Sequence, residues 1–208
     1  MARYTGPSCR ICRRLGTKLF LRANRCLSEK CTLNKRKSPP GDKPKRISKL
    51  SPYALQLKEK QKLKRMYGLL ERQFRLFFER ARKKKGITGD NLLQLLELRL
   101  DNVVFRLNFA SSRNMARQLV RHGHILLNGK MTTIPSIILK PGDVISVKEK
   151  SRRISCINEA LSRTESVPVA SWLSLNVDAY EGKVERVPLR EDIQIPANEQ
   201  TVVELYSK

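Results

Sequence analysis

Three stretches of the chain set apolar residues at helical steps. The first opens at Ser51-Pro52, where Ser suits the N-cap and Pro the first helical position. It runs through Tyr53, Leu57, Leu63, Met66 and Leu70 at mostly three- and four-residue intervals, with lysines between them. Gly68 predicts a break or kink. A second helix is expected over about residues 69–84, where Phe74, Phe77, Phe78 and Ala81 recur at helical spacing. Aromatics so spaced read as core rather than as platforms for nucleic-acid bases. Thr88 caps a third helix through Asn91, Leu92, Leu95 and Leu96.

That helix leads into Leu98–Lys148, whose pattern predicts two short amphipathic helices and a compact run of strands. Ser111 or Ser112 caps the second helix and Gly123 stops it. His124–Leu127 reads as a strand, Asn128-Gly129 as a two-residue hairpin turn, and Pro141-Gly142-Asp143 as a turn before the strand Val144–Val147. Residues 149–175 predict a short helix and a loop around Trp172, a packing anchor. Thr201–Tyr206 reads as a short strand in an acidic tail, either a protein-contact surface or simple structural closure.

Charge changes this picture most. With 43 Lys+Arg against 19 Asp+Glu the formal charge is +24, enough for a compact chain to repel itself without a polyanionic partner. Nucleic acid is the first candidate partner and an anionic membrane surface the second. No apolar run approaches the roughly 18 residues that span a bilayer. MARYTGPSCR lacks the apolar segment of a signal peptide, so a cytoplasmic location is expected. Residues 1–85 carry 27 Lys+Arg and 5 Asp+Glu, whereas residues 164–208 carry 4 and 8, so the front of the chain is built to meet the polyanion.

In the second helix of Leu98–Lys148, Arg113, Arg117 and Arg121 step by four and share a face, while Met115, Leu119 and Val120 pack inward. A row of guanidinium groups on a rigid helix, with Arg106 nearby, suits a phosphate backbone; the plain alternative is a solvated basic face. His122 and His124 either touch phosphate or base edges or simply pack. Residues 34–50, NKRKSPPGDKPKRISKL, form an extended cationic connector, either a linker or an arm laid along a nucleic-acid backbone.

Cys9, Cys12, Cys26 and Cys31 make a Cys-x-x-Cys pair, a thirteen-residue loop and a Cys-x4-Cys pair. Two close pairs joined by a loop suit a tetrahedral site, and so polar a segment needs a metal to stabilise it. Zinc is the default metal; an iron–sulfur cluster fits the same four thiolates. Cys156, far from the four, reads as a small packing residue.

RLDNVVFRL…ARQLVRHGHILLNGK resembles the RNA-binding module named after ribosomal protein S-four. ARYTGP, the step Arg13-Arg14-Leu15-Gly16, LKEKQKLKRMYGLLERQF and VVELYSK extend the resemblance over nearly the whole chain, to the bacterial-type small-subunit ribosomal protein four family. The four cysteines resemble its metal-binding branch. The resemblance implies an α+β fold: a mostly helical first domain with a metal-bound N-terminal segment, and an inserted small α/β module of two helices and a short, mainly antiparallel sheet. The expected divisions are 1–50 (metal-binding segment and arm), 51–97 (helical domain), 98–160 (RNA-binding module) and 161–208 (a tail returning to the helical domain).

It also implies a primary binder of the 5′ domain of small-subunit rRNA that nucleates assembly. The expected neighbours are the channel through which mRNA enters the subunit, small-subunit protein five and protein three; decoding accuracy is influenced from there. The candidate RNA-contacting residues are then Arg3, Arg10, Arg13, Arg14, Lys18, Lys43, Lys45, Arg46, Lys49, Lys58, Lys62, Arg65, Arg72, Arg106, Arg113, Arg117, Arg121, His122, His124 and Lys130. The residues do not separate a free bacterial ribosome from an organellar one. One departure stands out: where the family usually has Pro-Pro-Gly-Gln-His-Gly, Pro39-Pro40-Gly41 is followed by Asp42-Lys43-Pro44.

Two rivals are weaker. Arg99-Leu100-Asp101 resembles the triplet that carries the catalytic aspartate of pseudouridine synthases, which carry the same module. Here it lies between apolar residues, where Asp101 is expected to pair with an arginine or cap a helix, and no remaining segment is long enough for a catalytic domain. A metal-stabilised DNA-binding regulator would need a dominant basic recognition helix, which the pattern lacks.

Overall fold

The computed structural model describes residues 3–41, 49–165 and 167–207. The chain divides into two units, Met1–Leu92 with Gln194–Lys208, and Leu93–Ile193.

The first unit begins with three short helices, α1 (Ser8–Leu15), α2 (Ala23–Leu27) and α3 (Thr32–Lys35). Two longer ones follow, α4 (Pro52–Met66) and α5 (Glu71–Lys83). The α4 start is as expected: the Ser51 hydroxyl accepts the Ala54 amide at 3.3 Å, with Pro52 in the first turn. The helix stops before Gly68, which takes a left-handed φ of 65°. Phe74, Phe77, Phe78 and Ala81 of α5 are all buried, as their spacing predicts. Next, α6 (Thr88–Glu97) includes Thr88 as its first residue rather than its cap and runs across the division between units.

The second unit contains α7 (Leu100–Arg106), α8 (Arg113–Arg121), β1 (Ile125–Leu127), β2 (Lys130–Met131), β3 (Val144–Val147), α9 (Ser155–Leu161), β4 (Leu173–Asn176) and β5 (Glu181–Val184). Ser112 caps α8 through the Met115 amide. Asn128 and Gly129, with φ of 50° and 76°, close the β1–β2 hairpin; both positive values are what a type I′ turn requires. The strands form one antiparallel sheet in the order β2-β1-β3-β5-β4. Its core joins Val103 and Val104 of α7, Leu107 just after it, Leu119 and Val120 of α8, Ile145 and Val147 of β3, Ile157 of α9 and the buried Trp172.

The β4–β5 hairpin falls mostly beyond residues 149–175, read from sequence as a short helix and a loop, in the segment 161–208 expected to be a returning tail. Residues through Ile193 belong to the second unit. LSLN and EGKV are too short and too polar to announce strands. They become strands because β3 offers a free edge, pairing Val144 with Lys183 and Ser146 with Glu181. Gly182 lies opposite Ile145, and a Cβ there would come within 2.5 Å of the buried Leu107 side chain.

The chain ends in α10 (Glu199–Tyr206), where a strand was expected. The Asn198 side chain caps it, accepting the Gln200 and Thr201 amides at 2.9 and 3.2 Å. Burial then overrides the β propensity of Val202-Val203. Val202 is buried, Tyr206 stacks on Phe78 with 4.5 Å between ring centroids, and the Gln56 amide of α4 donates to Glu204 at 3.2 Å. Glu71 completes the latch, accepting from Lys60 Nζ at 2.8 Å, Tyr206 OH at 2.9 Å and Lys64 Nζ. Burial pushes the Glu71 carboxyl up, but the bonds from Lys60, Lys64 and Tyr206 outweigh it and hold it down to about 2. Burial and the carboxylate beside it push the Tyr206 phenol up.

Gly182→Ala is expected to cost about 1–3 kcal/mol by overpacking against Leu107, read as a lower urea midpoint. Because Glu71 titrates lower folded than its ordinary 4.5, its contribution is complete above that pH and fades as pH falls toward about 2. Urea midpoints at pH about 6 and about 3 should therefore converge more closely in Glu71→Gln than in the unmodified protein.

Candidate nucleic-acid interface

In the second unit the arginines are organised by two buried carboxylates. Asp101 accepts from Arg99 twice, Nε at 3.0 Å and Nη2 at 2.8 Å, and from Arg117 Nη1 at 3.1 Å. All three are buried, at 5%, 1% and 7% exposure. Glu97, fully buried, accepts from Arg106 Nε at 2.9 Å, Arg106 Nη2 at 2.7 Å and Asn102 Nδ2 at 2.7 Å. Asn102 Oδ1 in turn accepts Arg113 Nε at 2.7 Å, and the Arg113 guanidinium lies 4.6 Å over the Phe105 ring.

This lattice corrects the expected arginine row. Steps of four keep Arg113, Arg117 and Arg121 within about 80° on the helix, but their side chains meet different surroundings. Arg117 turns inward to Asp101, although burial pushes its pKa down while Asp101 pulls it up. Arg113 is half-buried and fixed by Asn102 and Phe105, and of the three only Arg121 is exposed. Arg106 keeps 23% of its side chain exposed. His122 is exposed; half-buried His124 shares a 2.9 Å hydrogen bond with the Ser151 hydroxyl, and burial pushes its pKa down. Lys130 is exposed on β2. Glu97 and Asn102 escaped the sequence reading as positioning groups. The available signal was polar residues inside the apolar run LLELRLDNVV.

In the first unit Arg3, Arg10, Arg14, Lys49 and Arg72 are exposed, and Lys18, Lys58, Lys62 and Arg65 half-buried. Lys62 pairs with Glu59 at 2.6 Å. Arg13 is a latch as well as a cation: its Nε donates to the Ser38 carbonyl at 3.0 Å and its Nη2 to the Pro39 carbonyl at 3.2 Å, tying the Pro-Pro-Gly turn to α1. Lys43, Lys45 and Arg46, with the altered Asp42-Lys43-Pro44, lie outside the described residues.

Cys12, Cys26 and Cys31 are buried and Cys9 half-buried. The Arg22 amide donates to Cys26 Sγ at 3.2 Å. Burial pushes the Cys12 and Cys26 thiols up; the Leu19 amide pulls Cys12 back and the Arg22 amide Cys26, while the neighbouring cysteines push both further up. Cys12 therefore lies within electrostatic reach of Cys9, Cys26 and Cys31, and Cys26 within reach of Cys9 and Cys31. Among the described residues, however, no three His, Cys, Asp or Glu side chains are arranged to hold a metal ion. Cys156 is half-buried beside the core residue Ile157.

A helix pair braced by buried ion pairs on an antiparallel sheet, in a strongly basic chain, is one defined class of module. Residues 98–145 match the S4 domain and residues 3–97 the ribosomal protein S4/S9 N-terminal domain. The chain is an S4-domain protein. Small ribosomal subunit protein uS4 of Geotalea uraniireducens is 57% identical over 208 residues, covering all of both chains. Those of Trichlorobacter lovleyi and of a Thermoanaerobacter species are 58% and 57% identical over the same full span. The chain belongs to the uS4 family.

Asp101→Asn leaves Arg99 and Arg117 buried without a carboxylate, a class of change that costs about 3–5 kcal/mol. Arg121→Ala, at an exposed site, should stay within about 0.5 kcal/mol. Urea unfolding of both variants is the check, and equal effects would contradict this account of the buried pairs.

Proposed function

We propose that this chain is a structural, non-enzymatic constituent of the small ribosomal subunit that binds small-subunit rRNA. The observation that carries it is the end-to-end identity with small ribosomal subunit proteins uS4, over both domain matches. The physical support is a basic surface distributed over two units, suited to following the phosphates of a folded RNA rather than reading a DNA groove. The buried state of Asp101, held by two arginines, opposes the catalytic rival, since no substrate reaches a carboxylate so enclosed. Among the described residues no helix is long and apolar enough to cross a membrane.

The finer reading places the protein on the 5′ domain of the rRNA early in assembly. It then sits in the small subunit of a cytoplasmic ribosome, beside the channel through which mRNA enters, in contact with proteins five and three and influencing decoding accuracy. Lys43, Lys45, Arg46 and Lys49 supply the cations for an arm near the RNA. Affinity for a folded 5′-domain rRNA fragment should exceed that for random duplex DNA by about a thousandfold at matched salt. The rRNA affinity should also fall steeply with salt, the log–log slope growing by about 0.7–0.9 per phosphate neutralised. Equal affinities for the two nucleic acids would overturn the reading.

We also propose that Cys9, Cys12, Cys26 and Cys31 hold zinc, with an iron–sulfur cluster as the alternative. Four thiols in one small basic segment, three of them buried, are the donor set such a metal takes, and in binding it displaces the thiol protons. The metal would cross-link a segment with little apolar core of its own. Elemental analysis of protein purified without oxygen should find about one zinc per chain. Cys26→Ser should lower that content, and the absence of both zinc and iron would remove the site.

A further inference from the structure

A cavity of about 430 Å³ opens in the first unit. Two helices supply its polar wall in pairs one turn apart, Arg10 and Arg14 on α1 and Gln61 and Arg65 on α4. Tyr4 and Pro40 close the rim, and Ile11 and Leu15 add an apolar strip. Among the described residues no carboxylate lines it, and three guanidinium groups gather in the wall.

The wall is fixed in place. The Arg65 guanidinium lies 4.6 Å over the centre of the Tyr4 ring. That ring lies over Gly6, where a Cβ would come 2.6 Å from the tyrosine hydroxyl, so a larger residue there would push the ring aside. On the other side, the Arg13 bonds to the Ser38 and Pro39 carbonyls hold the turn that carries Pro40.

The chemistry of this wall has two halves. Arg10 and Arg14 are exposed, four residues apart on one helix, and suit one phosphate gripped from two sides. The stacked Tyr4–Arg65 pair is a planar surface of the kind on which unstacked RNA bases rest. Gln61 adds an amide, which both donates and accepts and so matches the polar edge of a base. The volume is within the range of small-molecule sites, more than a phosphate needs.

We propose that this cavity takes a single unstacked nucleotide of the bound RNA. Its phosphate sits on Arg10 and Arg14, its base lies against the Tyr4–Arg65 stack, and its polar edge is turned to Gln61. The assignment rests on the rRNA-binding reading and deepens it, because it makes one part of a diffuse basic surface a nucleotide-sized site.

The test uses the full-length protein and the folded 5′-domain rRNA fragment. Arg10→Ala with Arg14→Ala should weaken binding about tenfold or more and reduce the salt slope by about 1. Lys83→Ala with Lys85→Ala removes two exposed cations of the same unit that lie outside the cavity and outside the candidate contacts, and should cost less than about threefold. Gln61→Ala should weaken binding several-fold with the salt slope unchanged, as loss of a base-edge contact requires. A cavity double variant no worse than the lysine control would overturn the proposal while leaving rRNA binding intact. An arginine effect with none from Gln61→Ala would make the cavity a phosphate contact only and overturn the nucleotide assignment. Failure of the unmodified protein to bind the fragment would instead sink the functional reading, and the nucleotide site with it.

Discussion

The second unit depends on a carboxylate in the wrong place by ordinary rules. Asp101 is enclosed in an apolar core, and burying it with Arg99 and Arg117 removes three charges from water. Such an arrangement survives only when geometry and extra hydrogen bonds offset the desolvation, and the bidentate Arg99 contact with a third bond from Arg117 does so. The consequence is positional. A buried ion pair tolerates little sliding, so Asp101 of α7 and Arg117 of α8 fix the register of the two helices. Glu97 repeats the device at the margin, reaching Arg106 directly and Arg113 through Asn102. The arginines left at the surface are thus held in set orientations, which lowers the entropy cost of meeting a phosphate.

The first unit solves a different problem. It has few acidic groups among many cations, and it uses them sparingly. Glu71 alone receives two lysines and the Tyr206 hydroxyl, tying α4 and α5 to the last helix of the chain. Glu59 takes Lys62 and also accepts the Asn198 amide at the start of that helix. Most remaining cations are left facing outward, where self-repulsion costs stability until a polyanion screens it. Arg13 shows the same economy, since one guanidinium serves both as a charge and as the clasp of the Pro-Pro-Gly turn.

Much of this was legible in the residues because it is local. The Ser51-Pro52 start, the α5 aromatics in the core, the Ser112 cap and the Asn128-Gly129 turn each follow from the chemistry of a few neighbouring positions. So does the expectation that Asp101 pairs with an arginine. The net charge and its concentration in residues 1–85 needed no fold to point to a polyanion.

Tertiary structure decided the remainder, wherever an outcome turned on a distant partner. The β4 and β5 segments became strands because β3 had an edge to offer, and Val202-Val203 became helical because α4 and Phe78 could bury one side of it. The arginine face was the sharpest case. Spacing alone put Arg113, Arg117 and Arg121 in a row, but no spacing rule includes a carboxylate sixteen residues upstream that draws Arg117 into the core. Sequence fixes which side chains carry charge; whether a charge meets solvent, another chain or its own interior depends on what folding brings beside it, because electrostatic energy is set by distance and dielectric rather than by position along the chain.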